Sequence, residues 1–424
     1  MRGGIPLLLL YLLAQFYDLH HRIAHTKNVD KYNKLNLNYD SGEILMKKGV
    51  IVHLSDIHYD GTEQSQKLLS NLRNDLEIMR TKVGNFDHLI ITGDCIDRGK
   101  VSLFNNFDQE LKSILKVMGL RTNNVSIAIG NHDVDKNGKT IITLKQQNDS
   151  IDKLDNDVED NLDLLFKDFD NVLGKYNRDK PSNENSCGIG LKCLNINGMT
   201  MWIVLINSSW SVLTHNEYGN LSIGDMQLEK IKHAINRKRK KPEIVIACLH
   251  HPLDWFKYEE RTKLQKFLIE TVKADFILHG HIHQASYDSI FDMDTSTNMF
   301  CTGISYKKTG ENCSRKDGMR YSIYELDKDT RTVNVYLRST NEKGIFVGDN
   351  RLYTKVNKDG FFSIPTGNIY ECLLPVKSVE AEQNKNIFLS REFVELLLSK
   401  EQKLFKYYRG LEAAIEEYKL LVIS

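Results

Sequence analysis

The stretch FILHGHIHQ, residues 276–284, sets three imidazoles at alternate positions: His279, His281 and His283. In an extended strand alternate side chains leave the same face, so the three rings could converge. Grouping imidazoles on an apolar strand costs desolvation unless something uses their lone pairs. Groups of the same character recur elsewhere. Asp56 and His58 lie in SDIH, Asp94 and Asp97 in GDCIDRG, Asn131, His132 and Asp133 in GNHD, and His250 and His251 in LHHP. Any one of these histidines alone reads as a satisfied structural residue. Together they make a set of oxygen and nitrogen donors without thiolate, which suits manganese, iron, zinc or cobalt rather than a structural zinc site.

Each of these groups stands at the carboxyl end of a short apolar run. From Val50 onward VIVHLSDI, HLIITGD, VSIAIGN, EIVIACLH and FILHGHIH read as buried strands rich in β-branched residues. Between them EQSQKLLSNLRNDLEIMRTKV, residues 102–118, GDMQLEKIKHAINRK and KYEERTKLQKFLIETVK read as helices with one apolar face. CLNINGMTMWIVLINSSW adds a hairpin turning at Asn197-Gly198, and RYSIYELDKDTRTVNVYLRS a second one turning at Asp327–Thr330. Strands mixed with helices predict an α/β protein built on more than one sheet. Loops leaving the strand ends of such sheets line a common crevice.

Residues 140–185, charged and rich in Asn and Asp, read as a helical insertion over one edge of the core. After about residue 345 short strands with Gly and Asp turns follow. From Ser390 a helix is expected to run nearly to the end, with Leu397, Leu404, Tyr408, Leu411, Ile415, Tyr418 and Val422 on one face. Packing on its own domain is the simpler reading of that helix; a homodimer through it is the sharper one. The run RKRKK, 237–241, reads as a solvated helix end rather than a nucleic-acid contact.

Composition bounds these readings. With 41% hydrophobic residues among 424, the chain can bury a large core and a smaller second unit. A formal net charge of +1 excludes a global pull toward nucleic acid or anionic lipid. The 7 cysteines are scattered without a C-x-x-C pair, which reads as reduced thiols in a cytoplasmic protein. The apolar run GIPLLLLYLLAQFY is shorter than the about 20 residues a membrane span needs. Only Arg2 precedes it, and no small-x-small cleavage site follows. Met46 opens MKKGVIVHLSDIH like an ordinary start, and Gly42-Glu43 can be encoded by GGAGAR, which contains a ribosome-binding core. Residues 1–45 are therefore expected to be translated leader in a bacterial source, ahead of a membrane anchor at residues 5–17 and then of secretion. The expected organisation is leader 1–45, main domain 46–345, and a strand-plus-helix extension 346–424.

D-x-H, G-D-x-x-D, G-N-H-D, H and G-H-x-H, in that order, resemble the calcineurin-like metallophosphoesterases. The resemblance spans roughly residues 50–340 and includes all five blocks, each after a strand. It implies a two-sheet sandwich flanked by helices, with two divalent or transition metal ions at its rim, manganese first among them. By that resemblance Asp56, His58 and His283 hold one ion and Asn131, His250 and His281 the other, with Asp94 bridging. His132 matches the catalytic histidine, held by Asp133, outside the ligand set. The implied reaction is attack on a phosphate ester by a metal-bridging hydroxide, with His132 protonating the departing oxygen. His279, His251 and His53 are expected to be structural, and Asp97 to orient loops and ligands. Arg98 divides evenly between phosphate contact and a salt bridge.

Departures within the family narrow the branch. Purple acid phosphatases carry tyrosine where this chain has Asp97, and the serine/threonine phosphatases show GNHE rather than GNHD. GNHD with LHHP is closer to the cyclic-nucleotide and general phosphodiesterases. Phosphodiester hydrolysis, with a nucleotide among the candidate substrates and phosphomonoesters included, is thus expected. A nuclease of the same superfamily is the first alternative, and a non-catalytic scaffold for a protein partner the second.

Overall fold

The computed structural model describes residues 48–97, 99–134, 165–178, 187–212, 218–282, 286–291, 296–302, 319–328, 330, 332–351 and 356–365. The expected leader 1–45, the helix from Ser390, His283 and Arg98 lie outside the described residues. So does most of the 140–185 insertion; within it 165–172 are helical and the short turn Gly174–Asn177 follows.

The apolar runs fold as strands and the amphipathic ones as helices. In chain order the first elements are β1 (Lys48–Leu54), α1 (Glu63–Val83), β2 (His88–Thr92), α2 (Val101–Met118) and β3 (Val125–Ala128). Next come β4 (Gly190–Ile196), β5 (Met199–Leu205), α3 (Asp225–Asn236), β6 (Ile244–Cys248), α4 (Tyr258–Lys266) and β7 (Phe276–His279). The last are β8 (Ser286–Phe291), β9 (Ser296–Cys301), β10 (Arg320–Asp327), β11 (Thr332–Thr340), β12 (Phe346–Gly348) and β13 (Phe361–Pro365).

They form two mixed sheets. One has the order β12-β11-β10-β1-β2-β3, with β13 also on β11, and β1, β2 and β3 run parallel. The other has the order β4-β5-β6-β7-β9-β8, with β5, β6, β7 and β9 parallel. Strand alternation assigns each side chain to a layer. Ile51 of β1, Ile90 of β2, Met201 and Ile203 of β5, Ile246 of β6 and Leu278 of β7 share the core between the sheets. Val52 of β1 and Ile91 of β2 face α1 and α2 instead, packing with Leu72, Leu76, Phe104 and Leu111. Ala247 and Ile277 face the other way, toward Leu228 and Ile231 of α3 and Leu264 of α4. Strands buried on both faces read as continuous apolar runs. The result is an α/β sandwich of two sheets flanked by helices.

Local signals place the connections. Asn197 (φ 50°) and Gly198 (φ 82°) both adopt the left-handed conformation that a type I′ turn requires, joining β4 to β5. The helix expected over 257–273 is regular only to Lys266 and then widens over Phe267–Val272, which buries Phe267, Leu268 and Val272. The boundary expected at 345/346 falls inside the first sheet, because β12 and β13 both pair with β11. The change in composition there comes from turns between edge strands. No helix among the described residues is long and apolar enough to cross a membrane.

Polar side chains finish the joints. The Asn177 amide pairs with both the N–H and the C=O of Ile127 at the β3 edge (2.7 and 2.8 Å). Lys192 of β4, fully buried, donates to the carbonyls of Val125 and Tyr176 at 2.7 Å each. Asp75 anchors α1 to the first sheet by accepting from Tyr321 Oη (2.5 Å) and Arg338 Nε (2.9 Å). Removing that carboxylate leaves a guanidinium only 11% exposed without its ion partner. Asp75→Ala is therefore expected to lower the unfolding free energy by about 3–5 kcal/mol, read from urea denaturation. Adding Arg338→Met should recover part of the loss.

Candidate metal centre

The loops leaving β1, β2 and β3 in one sheet meet those leaving β6 and β7 in the other. Parallel pairing brings the strand ends to one rim, and hydrogen bonds continue beyond them. Asp56 N–H donates to Gly93 O (3.1 Å), His58 N–H to Asp94 O (2.8 Å) and Gly280 N–H to His250 O (3.0 Å). The two sheets are then cross-tied by side chains. Asp56 accepts the His281 N–H at 3.0 and 3.1 Å, and the His250 imidazole meets Thr92 O at 2.7 Å through Nδ1.

Backbone geometry here is demanding. Asp56 (φ 55°), His58 (46°), Asp94 (52°) and His281 (71°) all lie in the left-handed region, uncommon for non-glycine residues and held only where surroundings over-determine it. Two glycines allow the approach. A Cβ on Gly130 would sit 2.1 Å from both the N and Oδ1 of Asp94, and one on Gly280 would sit 1.8 Å from Ser55 Oγ. The glycines of GNHD and HGHIH are thus required by carboxylates packed against their backbone.

Asp94, 1% exposed, is central. Its Oδ2 lies 3.5 Å from His58 Nε2 and 3.3 Å from His250 Nε2. On one side Asp56, His58 and Asp94 offer donor atoms within 4.8 Å of one another. On the other, His250 Nε2 is 3.0 Å from Asn131 Oδ1 and 3.2 Å from His281 Nδ1, which is itself 3.2 Å from Asn131 Oδ1. Thr92 O can only accept, so His250 Nδ1 carries a proton, and a ring that gives up its Nε2 proton turns that lone pair toward the Asn131 and Asp94 oxygens, which are acceptors too. A cation among them satisfies both. The electrostatics agree. Burial alone would lower the His250 pKa, yet Asp94 beside it, with Asp56, raises it to about 9. Burial would raise Asp94, but His250 and His58 hold its carboxyl well below the usual range. The pocket calls for positive charge, and a metal ion replaces a proton in such a place. The donor set fits.

A family model for the calcineurin-like phosphoesterases matches residues 49–285. The chain belongs to that family. Over 331 residues it is 26% identical to the uncharacterized metallophosphoesterase-like protein YydB of Bacillus subtilis (strain 168), covering 72% of this chain and 65% of that one. Among solved structures, the sulfate thiohydrolase SoxB of Thermus thermophilus in complex with glycerol is 12% identical with a TM-score of 0.36, covering 69% of this chain and 56% of that one. A 5′-nucleotidase precursor, also from Thermus thermophilus, is 12% identical with a TM-score of 0.37, covering 83% and 59%. The chain thus spans less than two thirds of the length of each of these three proteins.

Six of the ligand positions expected from the sequence, Asp56, His58, Asp94, Asn131, His250 and His281, come together at the rim. The seventh, His283, is outside the described residues. His132 stands beside them with a side chain 41% exposed, its ring edge-on to His58 at 4.6 Å. One expectation needs correction. Asp133 does not face the His132 ring; it is 3% exposed and accepts the Gly130 N–H (2.9 Å) and the Ile96 N–H (3.2 Å). Those donors sit beneath the loop and draw the carboxylate inward. Burial and the charge of Asp94 push its pKa up to about 7. The carboxylate at the His132 ring is Asp97, whose Oδ1 lies 3.3 Å from Nδ1.

His53 contacts Tyr324 Oη and Thr92 Oγ1, and burial pushes it down to about 3. His279 is likewise buried, its Nδ1 toward Gly280 O. His251, fully buried, meets Ser208 Oγ through Nδ1 (3.0 Å) and packs 4.4 Å from the His281 ring. Two contributors had no motif to reveal them. Ser208 accepts the backbone N–H groups of both His250 and His251. Trp255 lies with its ring 4.0 Å from that of His281. Gly280→Ala is expected to displace Ser55 and Asp56 while leaving the helical circular-dichroism signal intact. Manganese affinity, read by calorimetry, should fall by about 10–100-fold, as for other losses of ligand support. Unchanged affinity would mean that Asp56 does not need this packing.

Proposed function

We propose that the protein is a dinuclear-metal phosphoesterase acting on phosphodiesters, with phosphomonoesters as a secondary class. The observation that carries this reading is the Asp94 carboxylate lying between His58 and His250. Asp56, His58 and His283 would hold one ion, Asn131, His250 and His281 the other, and Asp94 both. Bound ions supply Lewis-acid charge for the phosphoryl oxygens and a water acidic enough to serve as nucleophile. Manganese is the first candidate, with iron, zinc and cobalt behind it. Phosphodiesters are favoured because GNHD and LHHP together resemble the phosphodiesterase branch.

The chain's own residues supply the remaining chemistry. His132 is close to the cluster yet open to solvent, where a departing oxygen can take its proton. Asp97 at Nδ1 orients the ring and leaves Nε2 for the substrate. Asp133 holds the loop that carries His132 by tying Gly130 to Ile96. The free thiols of Cys95, Cys187, Cys193, Cys248 and Cys301 accord with a cytoplasmic location. A strand-guiding role for RKRKK fits poorly. That run precedes β6 while His250 follows it, so the whole strand separates them, about 17 Å at 3.3 Å per residue.

Two experiments test this reading. Protein prepared without chelator should carry close to two transition metal ions per chain. Asp94→Asn should weaken uptake of both, whereas His281→Ala should weaken chiefly one. Undiminished affinity for both ions in the aspartate variant would remove the bridge. His132→Ala should keep both ions and lose protonation of the departing oxygen, worth about 10²–10⁴ in rate. That loss should be large for alkyl or nucleoside esters, which leave as basic alkoxides, and small for p-nitrophenyl esters. A flat wild-type-to-variant ratio across leaving groups of graded basicity would take the acid role away from His132.

A further inference from the structure

Two aromatic side chains beside the metal centre are unused by the chemistry above. The turn Leu253–Trp255 follows the LHHP block and carries Trp255 back over the site. Its ring meets His281 edge-on, at 4.0 Å and 87°, and lies 5.9 Å from the ring of His251. Tyr218 meets Trp255 in turn at 5.5 Å and 85°. His281, Trp255 and Tyr218 thus form a continuous strip of rings leading outward from the ligand cluster.

That strip is open, and the segments carrying its rings are tied together. Tyr218 is 60% exposed and Trp255 half-buried, whereas Trp202 and Trp210 are 3% and 4% exposed within the cores. Backbone bonds fix the segment carrying each ring to the other: Leu221 N–H donates to Trp255 O (3.1 Å) and Lys257 N–H to Leu221 O (3.0 Å). Large apolar surface held in place at the edge of a polar centre loses little freedom when a ligand covers it. His281 turns Nδ1 toward Asn131 and presents its ring to Trp255. A phosphoryl group at the centre therefore has the strip within reach of its ester substituent.

We infer that Tyr218 and Trp255 form a subsite that takes a planar ring carried by the organic half of the phosphate ester. The inference rests on the phosphoesterase reading and adds the substrate class. Aromatic faces accept flat rings of many kinds by stacking or edge contact, and offer an aliphatic substituent much less.

The test uses calorimetry on the manganese-loaded chain with phenylphosphonate and methylphosphonate, a pair that is not hydrolysed. The wild type should bind the phenyl compound about tenfold or more tightly than the methyl one, the scale expected of one ring contact. Tyr218→Ala lies away from the ligand cluster and should reduce that preference to about threefold or less, with methylphosphonate affinity unchanged. Trp255→Leu should also reduce the phenyl preference, read as the ratio of the two affinities because this ring packs on His281. No phenyl preference in the wild type, or a preference surviving in both variants, overturns the subsite. Hydrolysis of bis-p-nitrophenyl phosphate is assayed separately. A wild type that shows the ring preference and its loss in Tyr218→Ala, but no metal-dependent hydrolysis, would sink the phosphoesterase reading and leave the subsite standing.

Discussion

Asp94 carries a charge in a place where water barely reaches, and the rim of the molecule is arranged around that fact. One carboxylate oxygen takes the His132 backbone N–H at 2.8 Å, and the other faces His58 and His250. A buried carboxylate without such partners would cost several kcal/mol. Its partners come from loops after β1, β3 and β6, so no single segment of chain can satisfy it. Satisfying Asp94 means assembling both sheets. The left-handed backbone at Asp56, His58, Asp94 and His281 is the accompanying strain. At about 1–3 kcal/mol each, such conformations persist only because the strands beneath are buried on both faces.

The same constraint explains the shared direction of the strands. β1, β2 and β3 must run parallel for SDIH, GDCIDRG and GNHD to emerge at one edge, and β6 and β7 must do so for LHHP and HGHIH. The antiparallel strands β4, β8, β10, β11, β12 and β13 complete the sheets, and the six described ligand positions all come from loops after the parallel strands. Between the sheets the packing of Ile51, Ile90, Ile203, Ile246 and Leu278 sets how far apart the two groups of loops stand. A core is dense enough to transmit small changes of volume, so the separation of His58 from His250 across Asp94 is a property of that packing as much as of the loops.

Much of this could be read from residue order, because the governing patterns are local. Continuous β-branched runs mark doubly buried strands, Asn197-Gly198 marks a turn, and donors directly after each run mark a shared rim. What escaped was decided by tertiary placement. Asp133 is the neighbour of His132 in the chain, but buried N–H groups of Gly130 and Ile96 claim it, and Asp97 arrives at the ring from another loop. β10 lies beside β1 although some 270 residues separate their paired positions, such as Val52 and Ile323. Nothing near either strand signals that pairing. The shift in composition after residue 345 looked like a boundary because short edge strands need many turn residues. Lys192 reads as a surface residue until the carbonyls of Val125 and Tyr176 are found around its ammonium.

The two sheets divide the work at the rim unevenly. The first contributes the oxygen donors Asp56, Asp94 and Asn131, with His58 and the proposed acid His132 beside them. The second contributes the imidazoles of His250 and His281, with Trp255 and Tyr218 beyond. On the proposed reading, charge and proton transfer would sit mainly on one sheet, and the surface for an organic substituent on the other. Asp94 belongs to the first sheet but faces an imidazole of each, which makes it the point where the two roles are held in register. Loops on the second sheet can change the substituent accepted while the carboxylates and His132 keep their places. Within Pro252–Phe256, Leu253 and Phe256 are core residues, whereas the exposed Asp254 and half-buried Trp255 carry no expected ligand and are the positions open to change. Specificity can therefore change there without disturbing the buried charge on which the fold of the rim depends.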